Sequence, residues 1–150
     1  MLFRSVQAVG RRYVSAYHRR HGGSGTLWNG RFRCAVVEPG PMLLDVLCLI
    51  DGLTEGALDT GQGHRTAGDP APWLSDPPEY WALGNTPFDR QAAWRLRLGE
   101  GLSRARTQAL MKAAMGGWAV GSAAFGHAIA EAAARPVAPR PRGRPAAAAA

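Results

Sequence analysis

Only two cysteines, Cys34 and Cys48, occur among the 150 residues. They make neither a disulfide framework nor a metal-spaced pair, which excludes a cystine-stapled scaffold. They fit two small buried side chains in a reducing compartment. No apolar run reaches the roughly 18 residues that a membrane-spanning helix needs, and the longest, Met42 to Leu53, is broken by Asp45 and Asp51. The N-terminus has early arginines but lacks an apolar stretch followed by a small-residue cleavage site, so it does not read as a secretory signal. A cytoplasmic protein with no membrane contact is expected. Lysine is almost missing: Lys112 stands alone, and every other one of the 18 cations is arginine. Arginine is the residue that grips phosphate bidentately and stacks on bases, although the same bias serves solubility.

Acidic residues are missing from one region altogether. Residues 1–33 carry Arg4, Arg11, Arg12, Arg19, Arg20, Arg31 and Arg33 with no Asp or Glu, a block charge of +7. Residues 34–89 sum to −8, with Arg65 alone against nine acids, and residues 90–150 sum to +8. A chain basic at both ends and acidic in the middle suits two contacts on a polyanion, with nucleic acid the first candidate.

The stretch Gln7 to Arg33, QAVGRRYVSAYHRRHGGSGTLWNGRFR, reads as a basic amphipathic helix, a glycine-rich turn and a short basic strand. At about 100° per residue, Phe3, Val6, Val9, Tyr13 and Tyr17 share one face and Arg4, Arg11, Arg12 and Arg19 gather opposite. The apolar face is expected to meet a core and the cationic face something acidic. The helix is expected from about Phe3 to Arg20, stopped by Gly22-Gly23. His18 and His21 near its end suit capping or phosphate contact, and no carboxylate or thiolate stands at helical spacing to make them a metal pair. Trp28, beside Asn29-Gly30, is either a core anchor or an exposed aromatic on which a base could stack. Phe32, Cys34 and Val36 then alternate with Arg33, Ala35 and Val37, a strand pattern.

Farther on, Met42 to Leu53 (MLLDVLCLIDGL) is apolar nearly all round and is the best candidate for the hydrophobic centre, with Asp45 and Asp51 looking outward. Residues 54 to 78, punctuated by glycine and proline, read as a long surface loop. His64 and Asp69 there form no more than a solvated pair. From Glu79 onward the pattern is helical. Thr86 or Asp89 starts one helix, Gly99-Glu100-Gly101 breaks it, Ser103 caps the next, Gly116-Gly117 ends that one, and Ser122 caps the last. The tail RPVAPRPRGRPAAAAA is disordered by composition. Its Arg142-Gly143-Arg144-Pro145 has the form of a minor-groove hook, two arginines flanking a slim glycine.

The segment GRRYVSAYHRRHGGSGTLWNGRFRCAVVE resembles the pattern G-R-R-Y-V-x-Y-x-x-R-R-x-x-x-x-G-T-L-W-x-G-R-[FY]-[RK] of the REP-associated tyrosine transposases, single-tyrosine HUH enzymes of insertion sequences. PEYWALGNTPFDRQAAWR, GGWAVGSAAF and RPRGRP resemble that family's C-terminal extension. The resemblance implies binding of single-stranded DNA hairpins, attack of a tyrosine on a phosphodiester, and a divalent metal such as Mg2+ held by two histidines flanking a hydrophobic residue. Here the His-x-His strand, which belongs upstream of the first helix, is absent, and Leu49 stands where the nucleophilic tyrosine belongs. No catalytic residue and no metal ligand is assigned.

The expected fold is α+β and mostly helical: a remnant of a ferredoxin-like HUH transposase domain over residues 1–58, a linker over 59–78, a helical extension over 79–134 and a disordered tail over 135–150. The expected function is DNA binding by an inactive, N-terminally truncated member of that family. The expected contacts are Arg4, Arg11, Arg12, Arg19, Arg20, Arg31, Arg33, Arg142 and Arg144, with a homodimer allowed. The alternatives are an active transposase whose true start lies upstream, a small module binding a partner protein or an intact transposase, and a truncated domain that leaves strand edges unpaired and folds poorly.

Overall fold

A computed structural model describes residues 2–30, 32–53, 60–68 and 71–139. They divide into two units between Arg33 and Cys34. Unit 1 is a single long helix, α1 (Leu2–His21), followed by a loop. Unit 2 holds α2 (Pro41–Asp51), α3 (Gln62–Ala67), α4 (Pro78–Trp81), α5 (Pro87–Glu100), α6 (Arg104–Gly116) and α7 (Ala123–Ala133).

Local chemistry sets these boundaries. Thr86 and Asp89 form a reciprocal capping box at the start of α5, and the hydroxyls of Ser103 and Ser122 accept from the Arg106 and Phe125 amides at the starts of α6 and α7. Each satisfies an amide that the helix leaves without a partner. Proline opens α2, α4 and α5, where its missing N–H costs nothing. Gly117 closes α6 in the left-handed region at φ 67°, the conformation glycine adopts without a steric penalty.

The core of unit 2 is built by Leu44 and Cys48 of α2, Tyr80 of α4 and Trp94 of α5, with Leu47, Leu83, Leu98 and Leu102 packed against them. Trp94 is fully enclosed. The amide of Gly40, just before α2, donates to the Glu79 carboxylate at 2.6 Å and so ties the start of α2 to α4. Met42–Leu53 is the hydrophobic centre as expected, but its aspartates turn inward. Asp51 is wholly buried and Asp45 half-buried, because each has guanidinium partners from later helices. The loop expected over 54–78 contains α3, whose Arg65 is buried.

The expected ferredoxin-like α+β remnant is overturned: the fold is all-α. Among the described residues the strand-like pairing is one isolated parallel bridge, Val37 to Val120. There the Val120 amide donates to Val36 O and the Glu38 amide to Val120 O, each at 2.8 Å. The alternation read in residues 32–37 is present, but Phe32, Cys34 and Val36 point to solvent while Ala35 and Val37 are half-buried. The alternation leaves its larger apolar side chains uncovered, and the segment pairs with a helix-flanking turn instead of a sheet. Glu38 continues that junction by accepting from both the amide and the hydroxyl of Ser122 at the start of α7, where a carboxylate also suits the helix dipole. Among the described residues no helix is long and apolar enough to cross a membrane.

Candidate nucleic-acid interface

Arg4, Arg11, Arg12, Arg19 and Arg20 are all exposed on α1. At helical pitch the first four lie within an arc of about 100°, with the short side chains of Ala8 and Ser15 between them, and span about 22 Å of helix axis. Arg20 lies outside that arc. Residues 1–33 contain no carboxylate, and among the described residues none of these five arginines forms an ion pair. The last turn of α1 holds His18, Arg19, Arg20 and His21, so positive charge also collects where the carbonyl end of the helix favours it.

Behind the arginines the chain reverses. Gly22 and Gly23 adopt φ of 70° and 116°, values that glycine reaches freely. The turn is pinned by the His18 ring, whose Nε2 lies 2.9 Å from Gly25 O. The Trp28 amide donates to the Thr26 hydroxyl oxygen at 3.2 Å, and the loop lays the indole against α1. A Cβ on Gly10 would come 3.7 Å from Trp28 Nε1, so the glycine in mid-helix leaves the indole room to lie close. Rings then follow one another along α1: Trp28 to Tyr13 at 5.7 Å, Tyr13 to Tyr17 at 6.2 Å, and Tyr17 to His21 at 4.5 Å between centroids. An open groove runs between α1 and the loop, lined by Val6, Gly10, Val14, Trp28 and Phe32 and edged by Arg11.

The expectation that Val9, Tyr13 and Tyr17 pack on a core does not hold. Val9 is 67% exposed, Tyr13 52% and Trp28 54%, because unit 1 offers these side chains only a glycine-rich loop. Of the other residues singled out from sequence, Arg33 is exposed. Arg31, Arg142, Arg144 and Asp69 lie outside the described residues. His64 approaches Asp76 at 3.2 Å.

Of the block 90–150, expected to supply a second cationic contact, Arg104 and Lys112 are exposed, while Arg90, Arg95, Arg97 and Arg106 are engaged within unit 2. Asp45 is gripped by Arg97 and Arg106, and Arg65 bridges Asp51 and Asp76. Arg90 is buried, donates to Gly84 O and lies over the Trp81 ring at 4.4 Å, while Arg95 donates to Thr66 O. The acidic middle and the basic C-terminal block thus meet at Asp45, while Asp51 and Asp76 are met by Arg65 of the middle segment itself. One signal for this was present: an aspartate in an otherwise apolar helix needs a cation when that helix becomes the core.

Leu49 is a half-buried residue of α2. The Tyr80 hydroxyl is buried and donates to Arg65 O at 3.0 Å, and burial, reinforced by Asp76, raises its pKa from the ordinary 10.0. Among the described residues no three His, Cys, Asp or Glu side chains converge as metal donors. No family model, curated protein or solved structure matches the chain.

Proposed function

We propose that this protein binds nucleic acid through unit 1, with the arginine face of α1 as the phosphate contact. One observation carries the reading: five exposed arginines stand on a helix in a segment without carboxylates, while Arg65, Arg90, Arg95, Arg97 and Arg106 of unit 2 are engaged by acids or carbonyls of their own unit. Arginines so placed have no local counter-ion to give up before meeting phosphate, and each contact releases a counter-ion from the nucleic acid.

The resemblance of the GRRYV and GTLW segments to the REP-associated tyrosine transposases makes a DNA hairpin with single-stranded flanks the proposed target. Leu49 at the expected nucleophile position makes the proposed role binding without strand cleavage. Fluorescence anisotropy with a hairpin, a plain single strand and a duplex, at two or more salt concentrations, tests this beside Arg11→Ala/Arg12→Ala. The proposal expects a hairpin preference that survives moderate salt and is lost in the variant. Binding unaffected by the two substitutions would contradict it.

A second reading is favoured by the exposed apolar side chains Val9, Trp28 and Phe32. A small module docking a partner protein there would show little dependence on the arginines.

A further inference from the structure

We infer that the groove between α1 and the following loop takes an unpaired nucleobase, with Trp28 as the stacking surface and Arg11 holding the adjoining phosphate. This rests on the nucleic-acid reading above and adds a base contact that the arginine face alone does not require. The indole is backed on one side by Tyr13, 5.7 Å away between centroids and tilted by 37°, and by the bare backbone of Gly10. The Thr26 hydroxyl fixes the backbone of Trp28 through its amide and carbonyl, and the residue is 54% exposed. An aromatic ring fixed from behind and open in front is what a base needs, since every base has a face to stack and no hydrogen-bond code has to be met.

Arg11 decides the occupant. It lies on the cationic arc of α1 and also edges the groove, so a nucleotide can place its base on Trp28 and its phosphate on Arg11 together. Gln7, Ser15 and Asn29, which also line the groove, supply hydrogen-bonding groups at its walls. An apolar segment of another protein would fill the groove but leave Arg11 without an anion. Charge complementarity therefore favours the nucleotide.

The test compares the full chain's affinity for an oligothymidylate with that for an abasic strand of the same length and phosphate number. Stacking one base on an aromatic corresponds to about a tenfold change in affinity or more, so the wild type is expected to prefer the base-bearing strand by about tenfold. Trp28→Ala should bring that ratio toward one, and Trp28→Phe should keep most of it. Because each variant is its own reference across the two strands, a general loss of affinity does not mimic the effect. Equal wild-type affinity for the two strands overturns the inference, as does full preference in Trp28→Ala. A groove occupied by a protein segment predicts that same equality. Failure of the nucleic-acid reading itself would look different: the wild type would bind neither strand, or would bind both regardless of Arg11→Ala/Arg12→Ala.

Discussion

A nitrogen of the Arg65 guanidinium lies 2.7 Å from a carboxylate oxygen of Asp51, with both side chains almost wholly removed from water. The same Asp51 oxygen accepts from the Trp94 indole at 3.1 Å, and Arg65 also meets Asp76 at 2.9 Å. The one cation of the acidic middle segment is therefore the centre of its polar core, placed between α2 and α5 by the short helix α3.

Removing that cation leaves Asp51 with the Trp94 indole alone and Asp76 with His64. Arg65→Ala should destabilise unit 2 by about 3–5 kcal/mol, the cost of stranding a buried charge. Urea denaturation followed by Trp fluorescence reads this directly. A loss below about 1 kcal/mol would mean that Asp51 is reached by water. Replacing Arg65 and Asp51 together with apolar residues should cost less than Arg65→Ala alone.

The two cysteines should differ sharply toward a thiol reagent. Cys34 is exposed and Cys48 buried. Burial raises the Cys48 pKa from the ordinary 9.0, with Arg97 pulling it down and Asp45 and Asp51 pushing it up. Less thiolate and less access act together. At pH 8 one equivalent should react quickly and the second only as the chain unfolds, so two fast equivalents would contradict this packing.

Alkaline pH should weaken the fold. Cys48 and Tyr80 are neutral when protonated, and burial raises both pKa values in the folded chain. The folded state therefore holds these protons more tightly than the unfolded one. Their contribution is complete below the ordinary values of 9.0 and 10.0 and is lost as pH climbs from there through the raised values. The melting temperature should fall over that range, and Tyr80→Phe should remove the Tyr80 part of the slope. The same variant should cost about 1 kcal/mol at neutral pH from the lost bond to Arg65 O.

Gly10 sits inside α1, where glycine ordinarily costs about 1 kcal/mol relative to alanine. An added Cβ would meet Trp28 only at ordinary contact distance, 3.7 Å. Gly10→Ala should therefore make α1 more helical without displacing the indole, while Gly10→Leu should push it away. Circular dichroism reads the first effect, and the base-over-abasic affinity ratio reads the second.

Helix ends were the most legible part of the chain. Thr86, Ser103, Ser122 and Gly116-Gly117 mark boundaries that the structure keeps, because a cap is a contact between residues about three apart. What pairs across distance was hidden. Asp51 meets Arg65 and Trp94 from 14 and 43 residues away, and nothing near Asp51 in sequence distinguishes an inward from an outward aspartate. The strand read in residues 32–37 failed for the same reason, since alternation shows two faces but supplies no neighbouring strand. In unit 1 the helical period correctly grouped the arginines of α1. It could not show that the opposite aromatic face would stay open, because an amphipathic pattern does not contain what covers it.

The central claim, that the arginine face of α1 carries the phosphate contacts, is tested most directly by the salt dependence of binding to a single strand. Wild type and an Arg4→Ala/Arg11→Ala/Arg12→Ala/Arg19→Ala variant would be compared, with Arg104→Ala/Lys112→Ala as a control on the C-terminal block. Each phosphate contact on a single strand contributes about 0.7 to the slope of log affinity against log salt. Four lost contacts should flatten that slope by about 3, and the control should leave it nearly unchanged. An unaltered slope in the fourfold variant, or an equal loss in the control, would contradict the account.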